Sequence, residues 1–512
     1  MGDTSTTSSN DERGALEKLG PEILIMVFEN LCDSPPEFLQ SLRLVSRSFN
    51  IFAIPVRYRT ITLNSNLLDP NATDVDITWQ RVRDHTRHVN INTMLDWDAV
   101  VQLLSGCNRL QSMRWSVWHD NPSELFPKTL KQAIHELWPN LRLTVDRIDC
   151  PYTRPPFHTT SFPALNLVEV LVDDRRVSSS TEPLQRLLVA SKNLETLRIE
   201  FIRNPFTSHA GRLPPVRKLV LGFRLWDYTP EESVLIWDFS RLEALFIRWH
   251  TLLYLDPMVN KSGLTRLTRL VIAYDWPGRN FVIDEDAEYN AARTLILRRI
   301  IEQIPHHQLQ ELDIKCQLSG LPLTSIVCHG NTLRMLTLLD TSGFETDGVA
   351  PVTTSTADLQ LLLNTCSRLV NLSIAVDFDG FHGGSCPSLD ILAQFRNLTD
   401  LTLYSKCLLA VPLSDTTDVI QDSGYEILHY FCERKEGLSL RSLKFNLKGW
   451  DPFIGSSQWL GISEEDLVDP VRYPRLLLKF SWDHNGTAKC EEFQVPQLIG
   501  SYARERKFHL TW

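Results

Sequence analysis

The sequence predicts an α/β repeat: a small helical segment followed by a long, irregular solenoid, with a parallel β-sheet on its concave face and helices outside. Three observations predict it. The chain has 512 residues, past the roughly 250–300 at which single hydrophobic cores stop growing, so several domains or one extended array are expected. A Leu-x-x-Leu-x-(Leu/Ile) pattern recurs in order along most of the length. Ahead of it, residues 16–63 carry two apolar helical patterns rich enough to need a covering partner.

The first of these helices starts at Pro21, whose missing N–H costs nothing at a first helical position. Glu22 lies in the first turn, where the helix dipole favours an anion. Ile23, Leu24, Val27, Phe28 and Leu31 follow at helical spacing. The second helix has Ser34 and Glu37 at capping-box spacing, then Phe38, Leu39, Leu42, Val45, Phe49 and Phe52, and is expected to stop at Pro55. Thr60 to Leu63 alternates as a short strand does. Helices this short are marginal alone, so their apolar faces are expected to be buried. Periodicity by itself fits a plain helical cap on a larger fold equally well.

The repeat is read from Leu194-Leu197-Ile199, Val216-Leu219-Leu221, Leu242-Leu245-Ile247, Leu267-Leu270-Ile272 and Leu309-Leu312-Ile314. It continues through Leu333-Leu336-Leu338, Leu369-Leu372-Ile374, Leu398-Leu401-Leu403 and Leu440-Leu443-Phe445. Earlier strands are expected at His88 to Ile91, at Leu110-Met113-Trp115 and at Val168 to Val172. Successive copies step by 22 residues (194 to 216) up to 42 (267 to 309). The last two apolar residues of each copy alternate along a strand and point inward, the first packs at the turn, and each unit buries its face only against its neighbours. Helices are expected over 184–190, 291–304 and 356–366. The predicted boundaries are a disordered tail at 1–12, the N-terminal module at 13–63, a linker at 64–87, the solenoid at 88–449 and a C-terminal capping region at 450–512, with one last strand over 476–482.

Composition narrows the function. The net charge is −10 with 22% charged residues, which argues against nucleic-acid binding, since phosphate contacts need concentrated Lys and Arg. Ten scattered cysteines form no C-x-x-C or zinc spacing and point to free thiols in a reducing compartment, cytoplasm or nucleus. The polar N-terminal residues and the lack of an apolar run of about 18 residues lead to the expectation of neither a secretory leader nor a membrane span. No nucleophile elbow, Walker A, His-Glu-x-x-His or dinucleotide glycine pattern appears. His306-His307 reads as a surface turn, Phe381 to Cys386 as an insertion, and Trp482-Asp483-His484 as a triad fragment without a nucleophile. No catalytic residue, metal site or cofactor is expected, and the chain is expected not to be an enzyme.

Residue order in the N-terminal segment adds a resemblance. Leu19-Gly20-Pro21-Glu22-Ile23-Leu24, Leu42-Arg43-Leu44-Val45-Ser46-Arg47-Ser48-Phe49 and Pro55-Val56-Arg57-Tyr58-Arg59-Thr60-Ile61-Thr62-Leu63 resemble the F-box motif, in the form common in fungal proteins. One departure is Gly20, where the family usually has Pro. The resemblance covers about a tenth of the chain. It implies that the helices bind a Skp-type adaptor and, through it, a cullin, with Leu19, Pro21, Ile23, Leu24, Val27, Leu31, Leu42, Val45 and Phe49 in contact. Some of these, Leu42 and Phe49 in particular, fit equally a role in holding the helices together. The repeats resemble the leucine-rich-repeat fold, although the Asn or Cys that usually follows the strand signature is mostly missing.

Together these resemblances imply the substrate-recognition subunit of an SCF-type ubiquitin ligase, which acts by proximity rather than chemistry. The alternative is a non-catalytic repeat scaffold whose F-box acts outside a cullin ligase. A protein substrate is expected on strand residues between the inward leucines. Phe246, Arg248, Trp249 and Arg269 are the first candidates, because Arg and aromatics dominate binding hot spots.

Overall fold

A computed structural model of the chain describes residues 19–31, 36–69, 71, 74–116, 126–149, 162–174, 182–201, 206–222, 229–255, 263–273, 287–316, 318, 320–340, 352–376, 386–404, 427–446, 476–482 and 488–494. The expectations for 1–12, for Ser34 as a cap, for most of the insertions and for most of 450–512 lie outside them. The chain divides into two units, Met1–Arg198 with Pro205–Pro214, and Ile199–Asn204 with Pro215–Trp512.

The first unit opens with three helices, where the sequence predicted two: α1 (Pro21–Asn30), α2 (Pro36–Val45) and α3 (Arg47–Arg59). The apolar spacing runs through residues 38–52 unbroken, which hid the break at Ser46. There the backbone is extended, and the serine hydroxyl accepts from the Phe49 N–H at 3.2 Å, starting a new helix. Pro55 does not end the helix either; it lies inside α3. Its ring leaves the Ile51 carbonyl without a helical donor, and Ile51 is on the exposed side, where water can supply one.

Strand β1 (Thr60–Leu63) follows α3 directly and is already part of the sheet. It pairs in parallel with β2 (His88–Ile91), Thr60 opposite His88. The N-terminal module and the repeats therefore share a strand layer. The stretch predicted to be a linker, 64–87, holds α4 (Ser65–Leu68) and α5 (Val75–His85). Asn64 caps α4 by accepting from the Leu67 N–H at 2.9 Å. Trp79 Nε1–H of α5 donates to the Leu67 carbonyl at 2.9 Å, and Val82 is buried. Two helices with a buried side, joined by the Trp79–Leu67 hydrogen bond, form one more covering layer, not a tether. Strands β3 (Ser112–Trp115), β4 (Arg142–Asp149) and β5 (Leu167–Asp174) each pair in parallel with the strand before. Helices α6 (Trp97–Leu104), α7 (Lys128–Leu137) and α8 (Glu182–Ala190) lie between strands in the chain, α8 leading to β6 (Thr196–Phe201).

In the second unit β7 (Lys218–Leu221), β8 (Ala244–Arg248), β9 (Arg269–Ala273), β10 (Glu311–Cys316), β11 (Met335–Asp340), β12 (Asn371–Ala375), β13 (Asp400–Tyr404) and β14 (Ser442–Asn446) form a parallel series in chain order. Helix α9 (Pro230–Ile236) starts with a reciprocal capping box between Thr229 and Glu232. Longer connections carry helices Ala287–Gln303, Thr356–Thr365 and Pro387–Ala393. Two strands end the unit, β15 (Leu476–Trp482) and β16 (Ala488–Gln494). Both are antiparallel to their neighbours, with Ser442 of β14 opposite Ser481.

The repeat pattern explains the core. Its strand leucines and isoleucines, from Leu197 and Ile199 through Leu443 and Phe445, are buried, and so is each leading residue from Leu194 to Leu440. Burying one such side chain contributes roughly 1.5–3 kcal/mol relative to exposure. The two positions after the leading residue do something else. In the copies led by Val216 through Leu398 the carbonyl just after that residue accepts two N–H groups of the next copy. Thr268 takes Gln310 at 2.8 Å and Glu311 at 3.1 Å, Gln310 takes Arg334 and Met335, and Arg334 takes Val370 and Asn371. A continuous hydrogen-bonded ladder thus runs along the turn edge of the strands.

A second ladder uses side chains just before the leading residue. Asn166 donates to the carbonyls of Pro139 at 3.0 Å and Leu141 at 2.9 Å. Asn193 reaches Leu165, Gln308 reaches Leu264 and Leu267, Thr332 reaches Leu309, and Asn397 reaches Ser367. These polar side chains satisfy carbonyls at the turns; the Leu264 carbonyl also accepts from the Leu267 N–H at 3.2 Å.

Candidate functional site

The three N-terminal helices build their own small core. Leu24 and Phe28 of α1 meet Phe49 and Val56 of α3, with Leu19, Leu31, Leu42 and Phe52 packed around them. Glu29 of α1 and Arg59 of α3 form an ion pair across the same seam, and Arg43 Nε–H of α2 donates to Asn50 Oδ1 of α3 at 2.8 Å. The bundle is tied to the sheet by the Arg87 N–H, which donates to the Arg59 carbonyl at 2.9 Å, and by the Thr86 hydroxyl, which donates to Tyr58 at 3.0 Å.

That core leaves another apolar set outside. Ile23, Ile25, Met26 and Val27 on α1, Leu44 and Val45 on α2 and Ile51 on α3 are 37% to 88% exposed, Leu44 the most. Single exposed apolar residues are ordinary; seven of them within three short helices make these helices the candidate for an interaction surface.

The structure therefore separates two roles that residue type left merged. Of the nine predicted contact residues, Leu24 and Phe49 are core, and Leu19, Leu31 and Leu42 are half-buried edge residues. Pro21, Ile23, Val27 and Val45 are exposed. Sequence reasoning missed Ile25, Met26, Leu44 and Ile51. A signal was available for Met26: it stands three residues after Ile23 and next to Val27, on the side of α1 away from Leu24, Phe28 and Leu31.

The strand candidates divide as well. Phe246 and Trp249, expected to be accessible, are 2% and 1% exposed. Phe246 alternates with the inward Leu245 and Ile247, but its ring is covered by cations from both neighbouring strands, Lys218 Nζ at 5.1 Å and the Arg269 guanidinium at 5.0 Å. Trp249 turns into the short 3-10 helix after β8 and joins the core. Arg269 and Arg248 are half-buried. Arg269 Nε pairs with Glu311 at 2.8 Å. Arg248 lies over Gly222, where a Cβ would sit 2.8 Å from its Nε. What this part of the sheet presents is a charged surface, Lys218, Arg248, Arg269, Glu311, Asp313 and Lys315, with the Phe246 ring beneath Lys218 and Arg269.

Among the described residues no group of three His, Cys, Asp or Glu could hold a metal ion, and no helix is long and apolar enough to cross a membrane. His306 and His307 lie in an exposed turn, and His307 adopts φ 58°. Burial pushes the Cys107 thiol up to about 11 and Cys316 well above its usual value, the opposite of what activates a thiol nucleophile.

No protein-family model and no curated protein matches the chain.

Proposed function

We propose that the chain is the substrate-recognition subunit of an SCF-type ubiquitin ligase, with α1–α3 acting as an F-box and the strand units as a leucine-rich-repeat receptor. One observation carries this reading. The N-terminal helices close a core of their own around Phe28 and Phe49, yet keep Ile23, Met26, Leu44, Val45 and Ile51 in solvent. A helical cap serving only the repeats would turn its apolar surplus toward them; this one keeps a second apolar face. The residue order that resembles the F-box names the partner for that face, a Skp-type adaptor bound to a cullin. The repeats then hold a protein target, and the ligase supplies ubiquitin from other subunits by proximity. Target contacts are assigned to the half-buried Arg248 and Arg269, with the Phe246 ring beneath Arg269. Cytoplasm or nucleus is the compartment that fits such a partner.

The test is co-purification of the full chain with a Skp-type adaptor and a cullin, with Ile23→Asp/Met26→Asp as the control. Both positions are exposed, whereas a charge at Leu24 would break the core and lose binding trivially. Adaptor and cullin carried by the wild type and lost together in the folded double variant support the receptor. Adaptor without cullin supports a scaffold outside ubiquitination. Neither binding overturns the F-box assignment.

A further inference from the structure

Beside the apolar face lies an open hollow of about 400 Å³ bordered by Arg43, Leu44, Asn50 and Arg57. Arg43 is held in place through its Nε–H bond to Asn50, which leaves its terminal nitrogens for the hollow. Arg57 is exposed, its guanidinium 5.9 Å from the Tyr58 ring. Among the described residues, neither arginine has a carboxylate within ion-pair distance, although Arg59 nearby is paired with Glu29. Burial, and after it the charges of Arg57 and Arg81, lower the pKa of Arg43. Two like charges thus border one space and repel each other across it. Leu44, 88% exposed, lines the hollow, so the charged space adjoins the exposed apolar end of α2 formed by Leu44 and Val45.

We propose that this hollow receives a carboxylate side chain of the protein that docks on α1–α3, so that the partner presents an acidic residue at the edge of an apolar surface. The proposal rests on the adaptor reading and adds the chemistry of the partner. An anion relieves the repulsion between Arg43 and Arg57, and planar guanidinium groups match a carboxylate in two-pronged geometry. A basic side chain would add a third cation to the pair. A polyanion is disfavoured because the chain as a whole carries −10, whereas one carboxylate on an apolar surface brings a single charge.

The experiment measures the affinity of the full chain for a purified Skp-type adaptor at about 0.05 M and about 0.5 M salt, where screening lengths differ several-fold. Arg57→Glu is expected to weaken binding about tenfold at low salt and to flatten the salt dependence, as loss of a rim charge does. Arg57→Lys, which keeps the charge but not the two-pronged geometry, is expected to keep the salt dependence and lose part of the affinity, and Met26→Asp to lose binding at both salts. An unchanged melting temperature for Arg57→Glu, an exposed position, keeps the comparison clean. If Arg57→Glu and Arg43→Glu bind like the wild type while Met26→Asp does not, the acidic contact is wrong and the docking face stands. If the wild type fails to bind the adaptor, the F-box reading falls and the hollow with it. If Arg57→Glu instead abolishes self-association seen by light scattering, the occupant is a second copy, which also overturns the proposal.

Discussion

Phe28 of α1 and Phe49 of α3 meet edge to face, ring centres 5.6 Å apart and planes at 81°. This contact joins two helices that are each too short to stand alone, so it sets whether the exposed apolar face exists at all. Phe49→Ala is expected to cost about 3–5 kcal/mol of the stability of this module, the usual cost of a buried aromatic. Leu44→Ala is expected to change it by less than about 0.5 kcal/mol. Urea unfolding followed by near-UV circular dichroism distinguishes them. Equal losses would mean that Leu44 is packed rather than exposed.

The side-chain ladder makes a second prediction. Asn166 is buried and donates to two carbonyls, so Asn166→Ala strands both and is expected to cost about 1–3 kcal/mol. Asn193 makes one exposed bond of the same kind, and Asn193→Ala is expected to cost well under that. Urea midpoints for the two variants settle the order.

Acid should weaken the second unit through His329. Its side chain is fully buried, and Nε2 lies 3.2 Å from the Ile301 carbonyl, which fixes the proton there. Burial holds its pKa below the ordinary 6.5, with His306 and His307 acting in the same direction. The unfolded chain therefore takes up a proton as pH drops through about 6.5 while the folded chain does not, and stability falls below that pH. Above it His329 contributes no slope. His329→Gln keeps a donor for Ile301 but does not titrate. Its urea midpoint is expected to fall less than that of the wild type between about pH 7.5 and about pH 5.5; parallel falls would place the titration elsewhere.

Thiol reactivity should follow burial. Desolvation raises the thiol pKa of all four, but Cys432 is exposed while Cys107, Cys316 and Cys366 are buried. Alkylation of the native protein with peptide mapping is expected to label Cys432 well before those three. Early labelling of Cys316 would show that β10 opens in the native state.

Much of the architecture was legible in the sequence, because a leucine at fixed spacing has only one economical place to go. Every strand from β6 to β14 lies where Leu-x-x-Leu-x-(Leu/Ile) predicted it. What escaped followed from weaker signals. In β4 the run Leu141-Arg142-Leu143-Thr144-Val145 shortens the gap between apolar residues, so it does not scan as a copy. The Ser46 break lies inside an apolar pattern that is continuous on paper. The polar ladder went unseen because it stands before the leading residue rather than after the strand, where leucine-rich repeats usually keep theirs. At the site, Ile23 and Leu24 are neighbours of nearly equal hydrophobicity, and only the three-helix packing decides that one is core and the other surface. Phe246 failed as an accessible residue because alternation along β8 says which face it is on, not that Lys218 and Arg269 close over it.

The reversal at β15 bears on solubility. A parallel series offers at its end the same kind of edge that it received at its start, so an uncapped array could grow head to tail, molecule after molecule. Here β14 is met by a strand of opposite sense, Ser442 against Ser481. The edge that would take the next parallel strand is already occupied, so the described sheet ends on the antiparallel pair β15–β16 rather than on another copy of the repeat edge.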